Sequence, residues 1–489
     1  FLYELDLDNE VILKISSLLD RVVRGSSLII TSPLGKNLDP DLILFAWDSI
    51  FNSQISRMSG DLVTLENLNR SKFGPRSLAA DWSSRKDSVL DYFKSDNQLD
   101  LPDICGNKPK CLRPVDVNTS LGFLKNNTNS GLPFYERKGN VKGIYKSEFT
   151  RLLERRDDCV MFTRTQESGK TRTVWGYPMA DTLNEMRFYR PLLQYQRKLS
   201  WRSALRGPDA VDLSLTRMID YACRYDQKLL SVDFSSYDAS VKSGLQGVAF
   251  DYISSLFQPE YGHELGYIED RFNTIGIITP DGVYGGPHGV PSGSTFTNEV
   301  DSIVQYQCAV SSGLGEDQFD IQGDDGVYRL TEPDVLKKQF SKFGLSLNEE
   351  KSYVSDRSLV YLQNLHTVEH RSDDGIIRGI YPTYRALNRI IHQERFDQFS
   401  DDSIMGADYY AIKTISILEN CRNHPLFSDL VKFVVKLDKY KLQYTQQGLL
   451  KYIQRIKKKS GAEGLIINKP EDLITGLNNF KTVKLLREL

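Results

Sequence analysis

Apolar residues recur along this chain with two different spacings, which predict both helices and strands. Near the N-terminus, Val11, Ile12, Ile15 and the pair Leu18 and Leu19 have the spacing of one helix face. The pattern also predicts helices from about 294 to 310, from 409 to 418 and from 426 to 437, so the C-terminal third is expected to be mainly helical. Residues 101–135 are rich in proline, glycine and asparagine and predict an extended loop.

Two short segments have the composition of strands instead. Residues 228–234 place an apolar centre between polar ends, which is typical of a mostly buried strand. Residues 318–330 predict a hairpin, because two arms with alternating apolar residues flank the small and acidic tip Gly323-Asp324-Asp325. Acidic residues therefore lie where the first strand ends, at Asp233, and at the tip of the hairpin.

Composition limits the class of protein. The chain has 489 residues and a mass of 55.8 kDa, which suits about three domains or one enzyme with several lobes. Hydrophobic residues make up 40% and charged residues 26%, values that exclude a wholly disordered or collagen-like chain. The formal net charge of -2 excludes a cationic coat, so any site for a polyanion has to be a local patch or a channel.

Six scattered cysteines without a CxxC pair argue against a disulfide scaffold or a zinc ribbon. No apolar run approaches the ~20 residues that span a bilayer. The first residues, Phe1-Leu2-Tyr3-Glu4, include an acidic residue where a secretory signal would be basic, and no initiator Met precedes them. We therefore expect a protein of a reducing compartment or of a particle interior, which begins inside a longer or processed product.

The segment 137–172 departs from the neutral balance of the chain, with ten basic residues against five acidic ones. Two interpretations stay open on this evidence alone: a binding patch for an anion, or a solvated helix face covered with ion pairs.

The two acidic groups suggest a cation site. Desolvated carboxylates are costly unless something positive compensates them. If Asp233 and Asp324 lie side by side, their hard oxygen ligands favour Mg²⁺ or Mn²⁺, and two such ions about 3.5–4 Å apart would activate a hydroxyl nucleophile and stabilise a leaving pyrophosphate. Gly-Asp-Asp alone is weak evidence, because an ordinary hairpin turn explains it equally well.

Further segments occur along the chain in a consistent order with the two acidic groups. They are Thr128-Asn129-Ser130-Gly131-Leu132-Pro133, Gly169-Lys170-Thr171-Arg172, Asp233-Phe234-Ser235-Ser236-Tyr237-Asp238, Ser292-Gly293 with Thr297, Gly344 to Ser352, and Tyr361-Leu362. From about residue 119 to 367, roughly half of the chain, this order resembles the viral RNA-dependent RNA polymerases of double-stranded RNA viruses. It is most similar to the picobirnavirus group, with the partitivirus group next.

The resemblance implies an α+β fold, a right-handed fingers–palm–thumb polymerase with an encircled active site and an antiparallel palm sheet. Residues 1–70 would bridge fingers and thumb. The fingers would span 71–225 and 258–301, the palm 226–257 and 302–370, and the thumb 371–489.

The resemblance also implies catalytic roles. Asp233 and Asp324 would be the principal metal ligands and Asp325 an auxiliary one, with Mg²⁺, or Mn²⁺ in its place, as the cofactor. Lys351 would be the general acid near the leaving pyrophosphate.

The implied nucleotide site comprises Arg164, Lys170 and Arg172 at the triphosphate and the loop Ser292-Gly293 before a helix. In many positive-strand virus enzymes an Asn stands nine residues after that Ser, whereas this chain has Asp301. Thr297 and Asp301 share a helix face, and Asn298 points about 100° away. We therefore expect Asp238, Thr297 and Asp301 to sense the sugar, with Asn298 as the alternative.

Contacts with RNA are implied for two segments. Ser130, Gly131 and Pro133 would guide the template, and Tyr361 and Leu362 would begin a primer-grip hairpin. His366 and His370 have the spacing of a metal pair, but the segment is predicted to be strand and turn, which disfavours a metal site.

The implied function is template-directed nucleotidyl transfer from NTPs to an RNA 3′-hydroxyl, replicating and transcribing a viral double-stranded RNA genome. Implied partners are the RNA template and product, NTPs and a capsid protein, with no membrane, for a monomer in the virion interior and the infected cytoplasm. A reverse transcriptase is disfavoured, because it normally has an aromatic residue near the ribose, where this chain has Asp238, and an aromatic-x-Asp-Asp tip, where this chain has Gly323-Asp324-Asp325. A non-catalytic relative and a palm-type nucleotidyltransferase or cyclase remain alternatives, which primer extension distinguishes.

Overall fold

The computed structural model describes residues 1–35, 38–95, 99–106, 108–397, 404–460 and 477–489, and shows a mixed α+β protein. The strands are β1 (Cys159–Thr165), β2 (Thr171–Gly176), β3 (Lys228–Val232), β4 (Ile277–Thr279), β5 (Gly282–Tyr284), β6 (Phe319–Gln322), β7 (Asp325–Leu330), β8 (Tyr353–Ser355), β9 (Ser358–Tyr361) and β10 (Asn364–Thr367). The helices before β3 are α1 (Asn9–Arg24), α2 (Pro40–Ser53), α3 (Gly60–Arg70), α4 (Trp82–Leu90), α5 (Val117–Phe123), α6 (Lys138–Glu154), α7 (Met179–Gln196) and α8 (Pro208–Tyr225). Those after β3 are α9 (Tyr237–Ser240), α10 (Ser243–Leu256), α11 (Gly262–Thr274), α12 (Thr297–Ser311), α13 (Pro333–Lys342), α14 (Thr383–Ile391), α15 (Gly406–Glu419), α16 (Phe427–Leu437), α17 (Gln446–Ser460) and α18 (Lys481–Glu488).

The central sheet has the strand order β6-β7-β3-β8 and is antiparallel throughout. Leu229, Leu230 and Val232 of β3 are buried, as the apolar centre of this segment predicts. The pair Val232 and Gly326 closes the register between β3 and β7, so Asp233 emerges beside the first residues of β7. Both the buried strand and the hairpin predicted from the sequence are confirmed.

A second four-stranded sheet has the order β2-β1-β4-β5. It joins strands that are more than a hundred residues apart in the chain, because Cys159 and Val160 of β1 pair in parallel with Ile277 and Ile278 of β4. The side chains of α1 cover this sheet in one apolar cluster that includes Ile15.

The N-terminal segment connects this second sheet to the helices near the C-terminus. Between α1 and α2, the Ser32 N–H donates to the carbonyl of Ile391 at 2.7 Å, and the Gln393 N–H donates to Ile30 at 2.9 Å. Arg76 continues the connection, since it contacts Glu167 at 3.3 Å and Glu394 at 2.6 Å. These bonds therefore join the β1–β2 turn, through the N-terminal segment, to the end of α14.

Helices α2 and α3 share one apolar core with α14, α15, α16 and α18. The helices predicted for 409–418 and 426–437 are confirmed as α15 and α16, and the helix predicted from about 294 begins later, at Thr297. Among the described residues, no helix has the length and apolar character needed to cross a bilayer.

One local prediction was wrong. The segment predicted as an extended loop, 101–135, contains the helix α5 (Val117–Phe123). Asp116 caps it by accepting a hydrogen bond from the Thr119 N–H at 2.9 Å, which satisfies a free amide of the first turn. A good cap and packing of Leu121 against α7 outweigh the surrounding loop-forming composition.

The central fold contains one fully buried ion pair. Arg202 contacts Glu299 of α12 at 2.8 Å, and both side chains are completely inaccessible to solvent. The same guanidinium donates to Asn298 and to Gln322, each at 3.2 Å. Arg202 therefore connects the start of α12 to the end of β6, one residue before Gly323.

We predict that Arg202→Leu lowers the free energy of unfolding by about 3–5 kcal/mol, because Glu299 is then left as an uncompensated buried carboxylate. Urea denaturation followed by tryptophan fluorescence measures the change. Arg217→Leu at an exposed position of α8 is the matched control and should change stability by less than about 0.5 kcal/mol.

Candidate active site

The first carboxylate of the site is held by its backbone. The Asp233 N–H donates to Ser352 Oγ at 2.9 Å, and the Asp233 carbonyl accepts from the Asn348 N–H at 2.7 Å. These bonds tie the end of β3 to the segment before β8, which carries Lys351. Burial and the charge of Asp324 raise the pKa of Asp233, while the Lys351 ammonium opposes that rise. Asp233, Asp324 and Lys351 therefore share one electrostatic environment.

The Gly-Asp-Asp tip is supported from behind by α12. The Gly323 N–H donates to Ser302 Oγ at 2.8 Å, and Gln305 Nε2 donates to the Gly323 carbonyl at 2.8 Å. Gly323 has a φ of 65°, and a Cβ there would lie 3.0 Å from the amide nitrogen of Asn298. Glycine is thus favoured at the tip both by its backbone conformation and by the close helix.

The two tip aspartates have different surroundings. Asp324 is exposed, whereas Asp325 is partly buried and accepts a hydrogen bond from the Leu362 N–H at 3.1 Å. Burial and the neighbouring Asp324 raise the pKa of Asp325 to about 7. One oxygen of Asp325 is therefore already engaged with the β9–β10 turn.

The carboxyl groups of Asp238 and Asp301 are hydrogen-bonded to each other. Burial raises the pKa of Asp238 to about 6, and burial and Asp238 raise the pKa of Asp301 still further. Within the pair, burial therefore favours the neutral form more strongly at Asp301 than at Asp238. Oδ1 of Asp301 is buried without a hydrogen-bond partner among the described residues.

The alternative residue, Asn298, is turned toward Arg202 and the Gly323 backbone. Thr297 also makes internal bonds, since its hydroxyl donates to the carbonyls of Pro291 and Ser294 at 2.9 and 3.0 Å. Of the four candidates for sugar sensing, only Asp238 and Asp301 pair with each other.

The loop before α12 lies directly on β2. A Cβ on Gly293 would be 1.6 Å from the carbonyl oxygen of Trp175, so only glycine fits. Ser292 Oγ donates to the Thr173 carbonyl at 3.2 Å. The segment after Trp175 also packs closely against the predicted template loop, since a Cβ on Gly131 would be 2.4 Å from the Tyr177 carbonyl.

Other residues of the predicted RNA-binding segments are structural. Ser130 is fully buried, its Oγ accepts from the Glu136 N–H at 3.1 Å, and Pro133 follows a cis peptide bond. The Tyr361 side chain is fully buried and donates to Asp320 at 3.2 Å, so it supports the hairpin from beneath. Leu362 and Gln363 form the turn itself.

The basic excess of 137–172 divides into two groups. Arg155 and Arg156 form ion pairs with Asp157 and Asp270, as expected for a solvated face. Arg164 and Arg172 are exposed partners on β1 and β2, and Lys170 stands in the turn before β2. The charges of Asp233 and Asp324 reach Lys170, and that of Arg172 reaches Asp238. Lys170 and Arg172 are therefore within electrostatic range of the acidic site, and Arg164 pairs with Arg172 on the neighbouring strand.

The two histidines that were considered as a metal pair, His366 and His370, have different partners. His366 Nε2 contacts Asp212 at 2.8 Å, whereas His370 Nε2 accepts from the Ser59 N–H at 3.1 Å. They do not share a ligand position.

Sequence reasoning missed several residues of the site. Lys72, just after α3, is half-buried within electrostatic range of Asp233 and Lys351. The hydroxyl of Tyr92 is within range of Asp238, Asp301 and Arg172, and its ring lies 5.7 Å from that of Trp175. No local pattern in the sequence marks either residue. The apolar neighbours of Glu185 on α7 could have marked it as a buried carboxyl.

Glu185 holds the glycine loop in place. Its carboxyl accepts from Ser294 Oγ at 2.8 Å and from the Thr295 N–H at 2.6 Å. Burial raises its pKa to about 8, so the group is mainly protonated at neutral pH.

Comparisons with known proteins show which family the chain belongs to. Residues 118–373 match the family described as viral RNA-dependent RNA polymerase. The chain is 28% identical over 470 residues to a potential RNA-dependent RNA polymerase of human picobirnavirus, covering 88% of this chain and 86% of that protein. It is 24% identical over 280 residues to an RNA-directed RNA polymerase of Cryptosporidium parvum virus 1, covering 50% of this chain and 52% of that protein.

Solved structures show the same fold. A crystal structure of the RNA-dependent RNA polymerase of a human picobirnavirus superimposes with a TM-score of 0.80 at 24% identity, covering 96% of each chain. An insertion-loop deletion mutant of such a polymerase gives a TM-score of 0.81 at 24% identity, with 97% and 96% covered. The fingers–palm–thumb architecture expected from the sequence is confirmed, and with it the resemblance to the picobirnavirus group.

The buried Glu185 predicts a pH dependence of stability. Its pKa is about 8 in the folded protein and near 4.5 when unfolded, so the folded state binds more protons between these values. Its contribution to stability is therefore full below pH 4.5 and is lost as the pH rises through 8. Glu185→Gln keeps an acceptor oxygen without ionising.

We predict that the melting temperature of Glu185→Gln, relative to wild type, rises steadily from pH 5.5 to pH 8.5, as measured by calorimetry. Glu269→Gln, at a less buried carboxyl on α11, should show a smaller change. A difference for Glu185→Gln that is constant across this range would contradict the buried neutral carboxyl.

Proposed function

We infer the reaction from one premise: the chain belongs to the family of viral RNA-dependent RNA polymerases. Its activity is RNA-directed RNA synthesis, as in its double-stranded RNA virus relatives. We propose that nucleotidyl transfer from an NTP to an RNA 3′-hydroxyl takes place at Asp233 and Asp324 by a two-metal-ion mechanism. The observation that carries this proposal is the register of β3 and β7, which brings the two carboxylates to neighbouring strand ends.

The donor atoms fit a hard divalent cation. Burial and the charge of Asp324 raise the pKa of both Asp233 and Asp325, as expected where carboxylates lie close together in a partly buried place. In the part of the chain that the structure describes, no three His, Cys, Asp or Glu side chains converge closely enough to coordinate an ion by themselves. This arrangement suits Mg²⁺, which is commonly held by one or two carboxylates together with substrate phosphates. When bound, such ions would lower the pKa of the attacking hydroxyl and neutralise the leaving pyrophosphate.

Basic side chains of the protein supply the positive charge that the triphosphate and the pyrophosphate require. Lys170 and Arg172, with Arg164 beside Arg172 on the neighbouring strand, are placed to neutralise the triphosphate. Lys351 lies by Asp233 and is proposed to donate a proton to the pyrophosphate as it leaves. Lys72 adds a further cation from the N-terminal segment.

Sugar selection is proposed to rest on Asp238 and Asp301. A carboxylate that shares one proton with its neighbour offers both an acceptor and a donor, which matches the hydrogen-bonding capacity of a ribose 2′-hydroxyl. A deoxyribose would leave these buried groups unpaired, and that penalty disfavours dNTPs.

The wider organisation is proposed on the same basis. The sheet β6-β7-β3-β8 unites 226–257 with 302–370 as the palm, and the sheet β2-β1-β4-β5 unites 71–225 with 258–301 as the fingers. The thumb is 371–489, and residues 1–70 bridge fingers and thumb. We further propose that the protein acts as a monomer with a capsid protein as partner, in the virion interior and the infected cytoplasm, where it replicates and transcribes a double-stranded RNA genome.

Asp324→Asn should abolish nucleotide addition and leave RNA affinity nearly intact, because the amide cannot supply the charge that a divalent cation requires. Primer extension with Mg²⁺ and a filter-binding assay measure the two properties. Asp334→Asn, on exposed α13, is the control and should behave as wild type. A rate for Asp324→Asn above about a hundredth of the wild-type rate would contradict the metal role.

Asp238→Ala should reduce the preference for NTPs over dNTPs by about tenfold or more, since the ribose hydroxyl loses its acceptor. The ratio of kcat/KM values for one NTP and its deoxy analogue measures this preference. Asp251→Ala, at an exposed position of α10, should keep the wild-type ratio. An unchanged ratio in Asp238→Ala would remove this residue from sugar recognition.

A further inference from the structure

The turn between β1 and β2, residues 166–170, carries a negative charge close to its lysine. Glu167 precedes Lys170 by three residues, and the Lys170 N–H donates to the Glu167 carbonyl at 3.3 Å. Lys170 is the residue proposed above to neutralise the triphosphate, and the charges of Asp233 and Asp324 reach it. An uncompensated carboxylate at this place would repel a triphosphate, so the charge of Glu167 requires a partner.

Arg76 of the N-terminal segment is that partner. Its Nε lies 3.3 Å from Glu167 Oε1, and the two side chains are only 10% and 17% exposed. Among the described residues, no other cation lies within ion-pair distance of Glu167, and Arg385 and Arg389 of α14 act on it from farther away. Because water screens a sheltered ion pair much less than a surface pair, Arg76 cancels most of this negative charge.

The same guanidinium also reaches the chain that follows α14. Its Nη2 contacts Glu394 Oε1 at 2.6 Å, and its Nη1 donates to the His392 carbonyl at 3.4 Å. A second bond from the N-terminal segment reaches β2 just after the turn, because the Ala80 N–H donates to Thr171 Oγ1 at 2.9 Å. Arg76 therefore holds the turn against two other parts of the chain.

The turn needs this external support because its own backbone is unfavourable. Ser168 and Gly169 have φ values of 59° and 68°, so two consecutive residues are left-handed, and Ser168 carries a Cβ that disfavours this conformation. The turn is closed by a bond from the Gln166 N–H to the Lys170 carbonyl at 2.9 Å. Contacts from outside the turn thus help to fix the direction in which Lys170 projects.

We propose that Arg76 is a positioning residue for the incoming nucleotide, because it neutralises Glu167 and holds the β1–β2 turn with Lys170 toward the triphosphate. This inference rests on the proposed function, in which Lys170 contacts the triphosphate. Arg76 acts through Glu167 and does not touch the nucleotide. Its loss is therefore expected to weaken the binding of polyphosphate and to spare the binding of RNA.

Primer extension with Mg²⁺ separates these two effects. Arg76→Ala should raise the KM for NTP by about tenfold or more and change the KM for primer–template by less than about twofold, because the unpaired Glu167 repels the triphosphate. The inhibition constant of inorganic pyrophosphate should rise by a similar factor, since this probe has neither base nor sugar.

Arg57→Ala is the matched control. Arg57 also joins the N-terminal segment to the C-terminal helices, through Asp429 at 2.8 Å and the Pro425 carbonyl. Its partners among the described residues lie outside the β1–β2 turn. This variant should keep the wild-type KM values and the wild-type inhibition by pyrophosphate.

A double variant distinguishes positioning from direct contact with the nucleotide. Glu167→Gln in the Arg76→Ala background removes the uncompensated charge and should lower the KM for NTP by at least about threefold relative to Arg76→Ala alone. Glu167→Gln in the wild-type background should change this KM by less than about twofold, because the amide oxygen still accepts from Arg76. An arginine that bound the triphosphate itself could not be rescued by a change at Glu167.

Three results would overturn the proposal. They are a wild-type KM for NTP in Arg76→Ala, an equal rise in the KM for primer–template, and a defect that Glu167→Gln does not reduce. Should Arg76→Ala fail to fold, Arg76→Gln with and without Glu167→Gln decides the question by the same comparison. Lys170→Ala tests the proposed function separately: an unchanged KM for NTP in that variant would refute the assignment of Lys170 to the triphosphate, whereas a raised KM there with a wild-type KM in Arg76→Ala would refute the role of Arg76 alone.

Discussion

The structure depends on keeping like charges together at the edge of a buried sheet. Asp233 and the Gly-Asp-Asp tip occupy neighbouring strand ends, where burial and the charge of Asp324 raise the pKa values of Asp233 and Asp325. Such an arrangement of carboxylates is unfavourable by itself. It persists because hydrogen bonds hold the surrounding backbone in place. Lys351, Lys170 and Lys72 offset part of the negative charge, and a divalent cation would offset the remainder.

Helix α12 links two properties that a template-directed polymerase must combine. One face presents Asp301 to Asp238, the pair proposed to sense the sugar, and another, with Ser302 and Gln305, holds the Gly323 backbone. The buried pair of Arg202 and Glu299 anchors the helix start between these functions. A displacement of α12 would therefore alter sugar recognition and the position of the acidic tip together.

The parts of the fold with a strong local signal could be predicted from the sequence. The apolar centre of β3 and the alternating arms of the hairpin marked the two acidic strand ends, and helical spacing separated Asp301 from Asn298. Residues whose role arises from long-range packing could not be predicted. Lys72 and Tyr92 come from the first hundred residues, and only the tertiary fold brings them to the site. Charge counting also overstated the basic segment, because Arg155 and Arg156 form ion pairs with Asp6 and Asp270, which lie outside that segment.

Anomalous scattering from Mn²⁺ in crystals of the protein with primer–template and an incoming NTP would test the central claim most directly. The account predicts manganese peaks between the carboxylates of Asp233 and Asp324, shared with the phosphates of the nucleotide. Manganese bound elsewhere, with these two carboxylates facing apart in the ternary complex, would contradict it.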